Sequence, residues 1–118
     1  FEKANLRTKG NTMYSYLTNE DVKAIRNSSK ANGWEPLPIK GANNRAYYRN
    51  NGNVIQLKSY DTIVFEYDNN TGEYVRKWDG YSVTTLKHVE MFCCWIEGRT
   101  YHRNSTFGKA NWEGMKVA

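Results

Sequence analysis

Cysteine is nearly absent from these 118 residues, and the two present, Cys93 and Cys94, are neighbours. Adjacent cysteines make a strained disulfide. With no CxxC and no second cluster, there is no zinc ligand set either, and no metal is expected. The two thiols read as small packing groups, which fits a reducing cytoplasm. No apolar run approaches the roughly 20 residues of a membrane span, and no signal peptide opens the chain, so no membrane partner is expected. The chain also lacks a Gly-rich phosphate loop, GxSxG, HExxH and an EF-hand pattern. P-loop nucleotide chemistry and HExxH zinc proteases are therefore excluded, serine and cysteine hydrolase triads find little support, and no cofactor is implied. Histidine occurs twice, as His88 and His102, so any imidazole acid–base chemistry falls to that pair.

Aromatic residues, in contrast, are plentiful. Nine Tyr, four Trp and four Phe supply large amphipathic surfaces to an otherwise polar chain. The length predicts a single domain spanning 1–118 that buries one core without staples. The charge is +5 and unevenly placed. Residues 1–58 hold ten basic and four acidic side chains, residues 59–85 two and five, and residues 86–118 five and three. A basic first half attracts nucleic acid or an acidic protein surface.

Residues 1–13 have no apolar period and read as a mobile arm or an edge segment. Thr18 then caps a helix expected over about 19–32. Asp21 sits in a capping-box position, Leu17 and Val22 form a hydrophobic staple, and Gly33 is the stop. "WEPLPIKGANN" holds both prolines and reads as an extended connector. From about 45 to 78 the pattern is that of strands. "RAYYR" and "NVIQLKS" flank "NNGN", a hairpin signal. "DTIVFEY" alternates, with Ile63, Phe65 and Tyr67 on one face. "DNNTG" turns the chain into "EYVRKW". The fold class is therefore α+β, a four-stranded antiparallel meander.

A helix at about 83–97, capped by Ser82 and ended by Gly98, packs on that sheet through Leu86, Val89, Phe92, Cys93 and Ile96. It carries a second stripe, Thr84, His88, Met91 and Trp95. A helix apolar on two faces is covered on two faces. The second cover is sought in the N-terminal helix, the C-terminal tail, another copy in a homodimer, or an external partner. Trp and Met are enriched in interface cores.

"IQLKSYDTIVFEYDNNTGEYVRKWDGYSVTTLKHVEMF" resembles a group of small proteins from bacteriophages, plasmids and bacterial genomes. Those share a strand ending in "SYDT", a later Trp or Tyr, and "S-x-TT-x-K/R-H" at a helix start. Here Ser59, Tyr60, Asp61 and Thr62 match the first element, and Trp78, Ser82, Thr84, Thr85, Lys87 and His88 the second. The resemblance implies an origin in a phage or mobile element and carries no catalytic assignment.

The shared residues admit two readings. They cap the helix and link strands, or Tyr60, Thr85, Lys87 and His88 converge as a site at the helix start. A second candidate surface is basic. Arg45, Tyr47 and Arg49 alternate along the first strand, Lys58 follows in the next, and Arg7 and Lys9 lie on the arm, giving charge for phosphates and rings for stacking. The expected function is that of a non-enzymatic binding protein acting on a host protein or nucleoprotein of a defence system, such as an anti-CRISPR-type inhibitor of a nuclease–guide complex. The alternatives are a small DNA- or RNA-binding accessory protein and a metal-independent ribonuclease with His88 and His102 as base and acid.

Overall fold

The computed structural model describes residues 18, 20–21, 23–25, 27, 32–42, 45–102 and 107–118. The arm at 1–13 with Arg7 and Lys9, and the Leu17–Val22 staple, lie outside the described residues. Of the N-terminal helix, residues 20–21, 23–25 and 27 are helical. Its start is a reciprocal capping box: Thr18 Oγ1 accepts from the Asp21 amide and Asp21 Oδ2 from the Thr18 amide, each at 3.1 Å.

Side-chain turn chemistry sets the strand ends. Asn50 Oδ1 accepts from the Gly52 amide, and Asn51 Oδ1 from the amides of Asn53 and Val54. Gly52 takes a φ of +96°, which a side chain resists. This turn joins β2 (Ala46–Asn50) to β3 (Val54–Ser59). Asp68 Oδ1, bound by the amides of Asn70 and Thr71, likewise turns β4 (Thr62–Asp68) into β5 (Tyr74–Arg76).

The sheet has five antiparallel strands in the order β1-β2-β3-β4-β5, not four. The additional strand, β1 (Glu35–Pro36), comes from the segment read as a connector, and it pairs Glu35 with Tyr48 and Pro36 with Tyr47. Proline lacks a ladder donor, so it is tolerated only at such an outer position. A second correction concerns β4. The register shifts between Leu57 and Lys58: Lys58 opposes Ile63 while Leu57 opposes Phe65, which leaves Val64 as the extra residue of a bulge. Ile63 is thereby turned to the face opposite Phe65 and Tyr67.

Helix α1 (Val83–Glu97) has the expected limits. Ser82 Oγ accepts from the Thr85 amide at 3.2 Å, and Gly98 ends the helix in the left-handed conformation. Both stripes of α1 are covered. On one side Phe92 meets Phe65 of β4 edge to face. On the other, Trp95 lies against Tyr48 of β2 with ring centroids 4.4 Å apart, and His88 reaches Ser59 of β3. Gly41 closes over Met91, where an added Cβ would stand 3.4 Å from Met91 Cε.

His88, Met91 and Trp95 of the second stripe therefore pack on the chain's own sheet and its 37–42 connector. The described part of the tail does not supply that cover. The tail goes elsewhere, as the short helix α2 (Lys109–Glu113). Its Trp112 has no exposed surface, lies tilted against Phe65 with ring centroids 5.9 Å apart, and donates through Nε1 to the Gly80 carbonyl at 2.7 Å. Arg76 of β5 fastens this corner. Its guanidinium donates to the carbonyls of Trp78, Gly80, Trp112 and Met115 and lies 4.5 Å from the Trp112 ring centroid. A buried cation is tolerable only with its donors so engaged.

Candidate functional site

The pattern shared by Ser59, Tyr60, Thr85 and His88 is assembled in space. Ser59 ends β3 with its side chain toward α1. Its hydroxyl lies 2.8 Å from His88 Nδ1 and 3.2 Å from Thr85 Oγ1. All three side chains are buried, His88 at 3% exposure. A serine hydroxyl has one proton to donate, so the three groups form a chain in which Ser59 accepts from one neighbour and donates to the other.

Burial, then the nearby Arg45 charge, then that of Lys87 push the His88 imidazole down to about 4. At neutral pH it is an uncharged ring inside a hydrogen-bonded core. Tyr60 leans on it, with ring centroids 5.8 Å apart, and its phenol hydrogen-bonds Arg45. Burial pushes that phenol up while Arg45 opposes the shift.

Tyr60 also carries a φ of +56°, the left-handed region where a bulky residue is strained. The two-residue link between β3 and β4 demands that conformation, and packing of the buried ring against His88 offsets it. Trp78, another member of the pattern, stands before α1. Gly80 lies so close to its ring that a Cβ would meet the indole at 2.3 Å, so the backbone of the linker is the ring's cover. Among the described residues Arg45 Nε, Thr62 Oγ1 and Trp78 Nε1 are buried without a hydrogen-bond partner.

Lys87 does not join the cluster. It is exposed on another side of α1. His102 is exposed while His88 is enclosed, so the two imidazoles do not share an open cleft. The thiols are equally muted. Burial first, then the Glu97 and Glu90 charges, pushes Cys93 up to about 12, and burial raises Cys94 as well. Neither supplies a thiolate near neutrality.

The basic residues of the first strands separate. Arg45 turns to Tyr60 and the His88 cluster. Arg49 and Lys58 turn to Trp34, their charged groups 4.5 and 4.7 Å from its ring centroid. Arg49 also donates twice to Gln56 Oε1. Tyr47 pairs with Lys58 and has no exposed surface, so its ring is not a platform for a base. Burial pulls the Lys58 ammonium below the usual lysine range, with Asp61 opposing. These residues dock Trp34 to the sheet, because the nearest aromatic face satisfies their charge.

The sequence pattern did not disclose a cavity of about 180 Å³ between α1 and the segment that leads into α2. Tyr81, Tyr101 and Phe107 line it with Lys87, Lys109 and Glu90. A helix of five residues is too short for periodicity to signal. The Phe107 and Trp112 pair was the available hint.

Among the described residues, no three His, Cys, Asp or Glu side chains gather as a metal site, and no helix is long and apolar enough to cross a membrane. The matched family spans residues 37–114, from the connector after β1 through α2, and so includes the whole His88 cluster. The chain belongs to the family of unknown function DUF8033. No curated protein and no solved structure matches it. The limits of this DUF8033 match leave Trp34 and β1 outside while keeping Ser59, Tyr60, Trp78 and His88 within.

Proposed function

We propose that this chain is a non-enzymatic binding protein of a phage or mobile element that acts on a host defence nucleoprotein, most specifically as an inhibitor of a nuclease–guide complex. The observation that carries the reading is the enclosure of the Ser59–Thr85–His88 network. The residues with the chemistry for turnover hydrogen-bond one another inside the core. A general base must reach the proton it removes, and a ring at 3% exposure reaches none in bulk substrate. The mobile-element context rests on the resemblance carried by the Ser59 to His88 pattern.

The test is an interference assay. Cells with an active guide-directed nuclease, expressing this chain, should become transformable by a targeted plasmid. In parallel the purified chain should leave RNA and DNA intact. Continued interference across the effector classes present in the host sinks the inhibitor. Cleavage of nucleic acid that is lost on His88→Ala, with folding retained, sinks the non-enzymatic reading and restores the ribonuclease. A second reading, a small DNA- or RNA-binding accessory protein, is favoured by the exposed Lys87 and Lys109 beside the cavity of α1 and α2.

A further inference from the structure

The cavity between α1 and α2 combines flat apolar walls with positive charge. Tyr81 precedes α1, Tyr101 follows it, and Phe107 leads into α2, so three separate segments each contribute a ring. Lys87 and Lys109 are exposed on either side. Lys109 Nζ is held 5.1 Å from the Tyr81 ring centroid. The carboxylate in the lining, Glu90, is already engaged: Arg99 Nη1 lies 3.9 Å from it, and the Cys94 thiol donates to it at 3.6 Å. Among the described lining residues, two ammonium groups thus outnumber one carboxylate. At about 180 Å³ the space falls below the roughly 300–1,000 Å³ of a drug-sized site. It suits a single flat ring system.

We propose that this groove binds single-stranded nucleic acid, one base entering among Tyr81, Tyr101 and Phe107 while the flanking phosphates lie on Lys87 and Lys109. Every base has a π face, so an aromatic slot accepts a strand without regard to sequence. Lysine suits phosphate as a point charge free to follow a flexible backbone. An acidic peptide would satisfy the lysines but would fill the slot only where it carried an aromatic side chain. The inference deepens the binding-protein reading and rests on it.

The test titrates the intact chain against short fluorescently labelled single strands of RNA and DNA, with an acidic tyrosine-containing peptide as comparator, over a range of salt. Two lysine–phosphate contacts should give a log–log salt slope of about −1.4. Lys87→Ala with Lys109→Ala should remove most of that slope; both side chains are exposed, so folding should persist, checked by circular dichroism. Tyr101→Ala should weaken binding about tenfold and leave the slope unchanged. Absence of salt-sensitive binding, a double variant that titrates as wild type, or binding of the peptide alone would overturn the proposal. Those results leave the interference assay untouched, whereas nucleic-acid cleavage by the chain would overturn the binding-protein reading whatever the titration gave.

Discussion

Ser59 and His88 stand 29 positions apart in the chain and 2.8 Å apart in space. The contact fastens the end of β3 to the first half of α1, and with Thr85 it forms the polar centre of the interface between sheet and helix. All three members lie within the stretch that the DUF8033 family spans, residues 37–114. A buried polar network of this kind fixes one relative placement of the two elements, since any other leaves a donor or acceptor unmatched.

Acid should expose this arrangement. The folded His88 holds its proton only near pH 4, while the unfolded residue takes one near 6.5. Between those values the unfolded state binds more protons, so stability is full above pH 6.5 and is lost as pH falls towards 4. By pH 5 the loss from this residue is on the order of 2 kcal/mol. Urea denaturation of wild type and His88→Gln at pH 7 and pH 5 checks it. The variant should lose less on acidification, and equal losses would show the ring titrating normally.

Tyr60 predicts an inverted ranking of small substitutions. Both Tyr60→Ala and Tyr60→Gly delete the ring that leans on His88, but alanine keeps the left-handed penalty and glycine does not. Tyr60→Gly should therefore be the more stable of the two by about 1 kcal/mol, although glycine is ordinarily the worse substitute. Paired chemical denaturation curves measure the difference.

Trp95 distinguishes internal packing from self-association. Its ring rests on Tyr48 and Phe92. Trp95→Ala should cost about 2–3 kcal/mol of stability, somewhat below the roughly 3–5 of a fully enclosed aromatic. Light scattering should return the same mass for variant and wild type. A lowered mass would place the ring at a subunit boundary instead.

Gly80 supplies a steric test. The methyl group of Gly80→Ala would collide with the Trp78 indole, so the linker or the ring must shift. Overpacking of that kind costs about 1–3 kcal/mol, and a neutral effect in thermal or urea melts would mean that the linker moves freely.

The elements that were legible carry their signals locally. Ser82 and Gly98 bracket α1, Asn51 and Asp68 form turns through their own side chains, and Thr18 with Asp21 makes a capping box. Each depends on neighbours within a few positions. What escaped depends on pairing across the sheet. A two-residue strand containing Pro36 has no periodicity, and its pairing is set by Tyr47 and Tyr48 eleven or more positions later. The bulge at Val64 reverses the faces of Ile63 and Phe65 without altering the residue pattern. The basic residues of the first strands read as a surface because nothing nearby in sequence announces that Trp34 lies across Arg49 and Lys58. The candidate site divides in the same way. Of the expected group Tyr60, Thr85, Lys87 and His88, three stand together, whereas Ser59 as their hub, and Lys87 as an outsider, follow from which strand face meets the helix.

Arg76 gives the aromatic groove a remote dependency. A five-residue helix cannot sustain itself in water, and α2 is held by the buried Trp112 and by one guanidinium on the three-residue edge strand β5, which grips the carbonyls at Trp112 and Met115. The wall that carries Phe107 and Lys109 thus depends on a residue outside the groove's lining. If a guest binds there, loosening that distant hinge pin would weaken its hold without touching it.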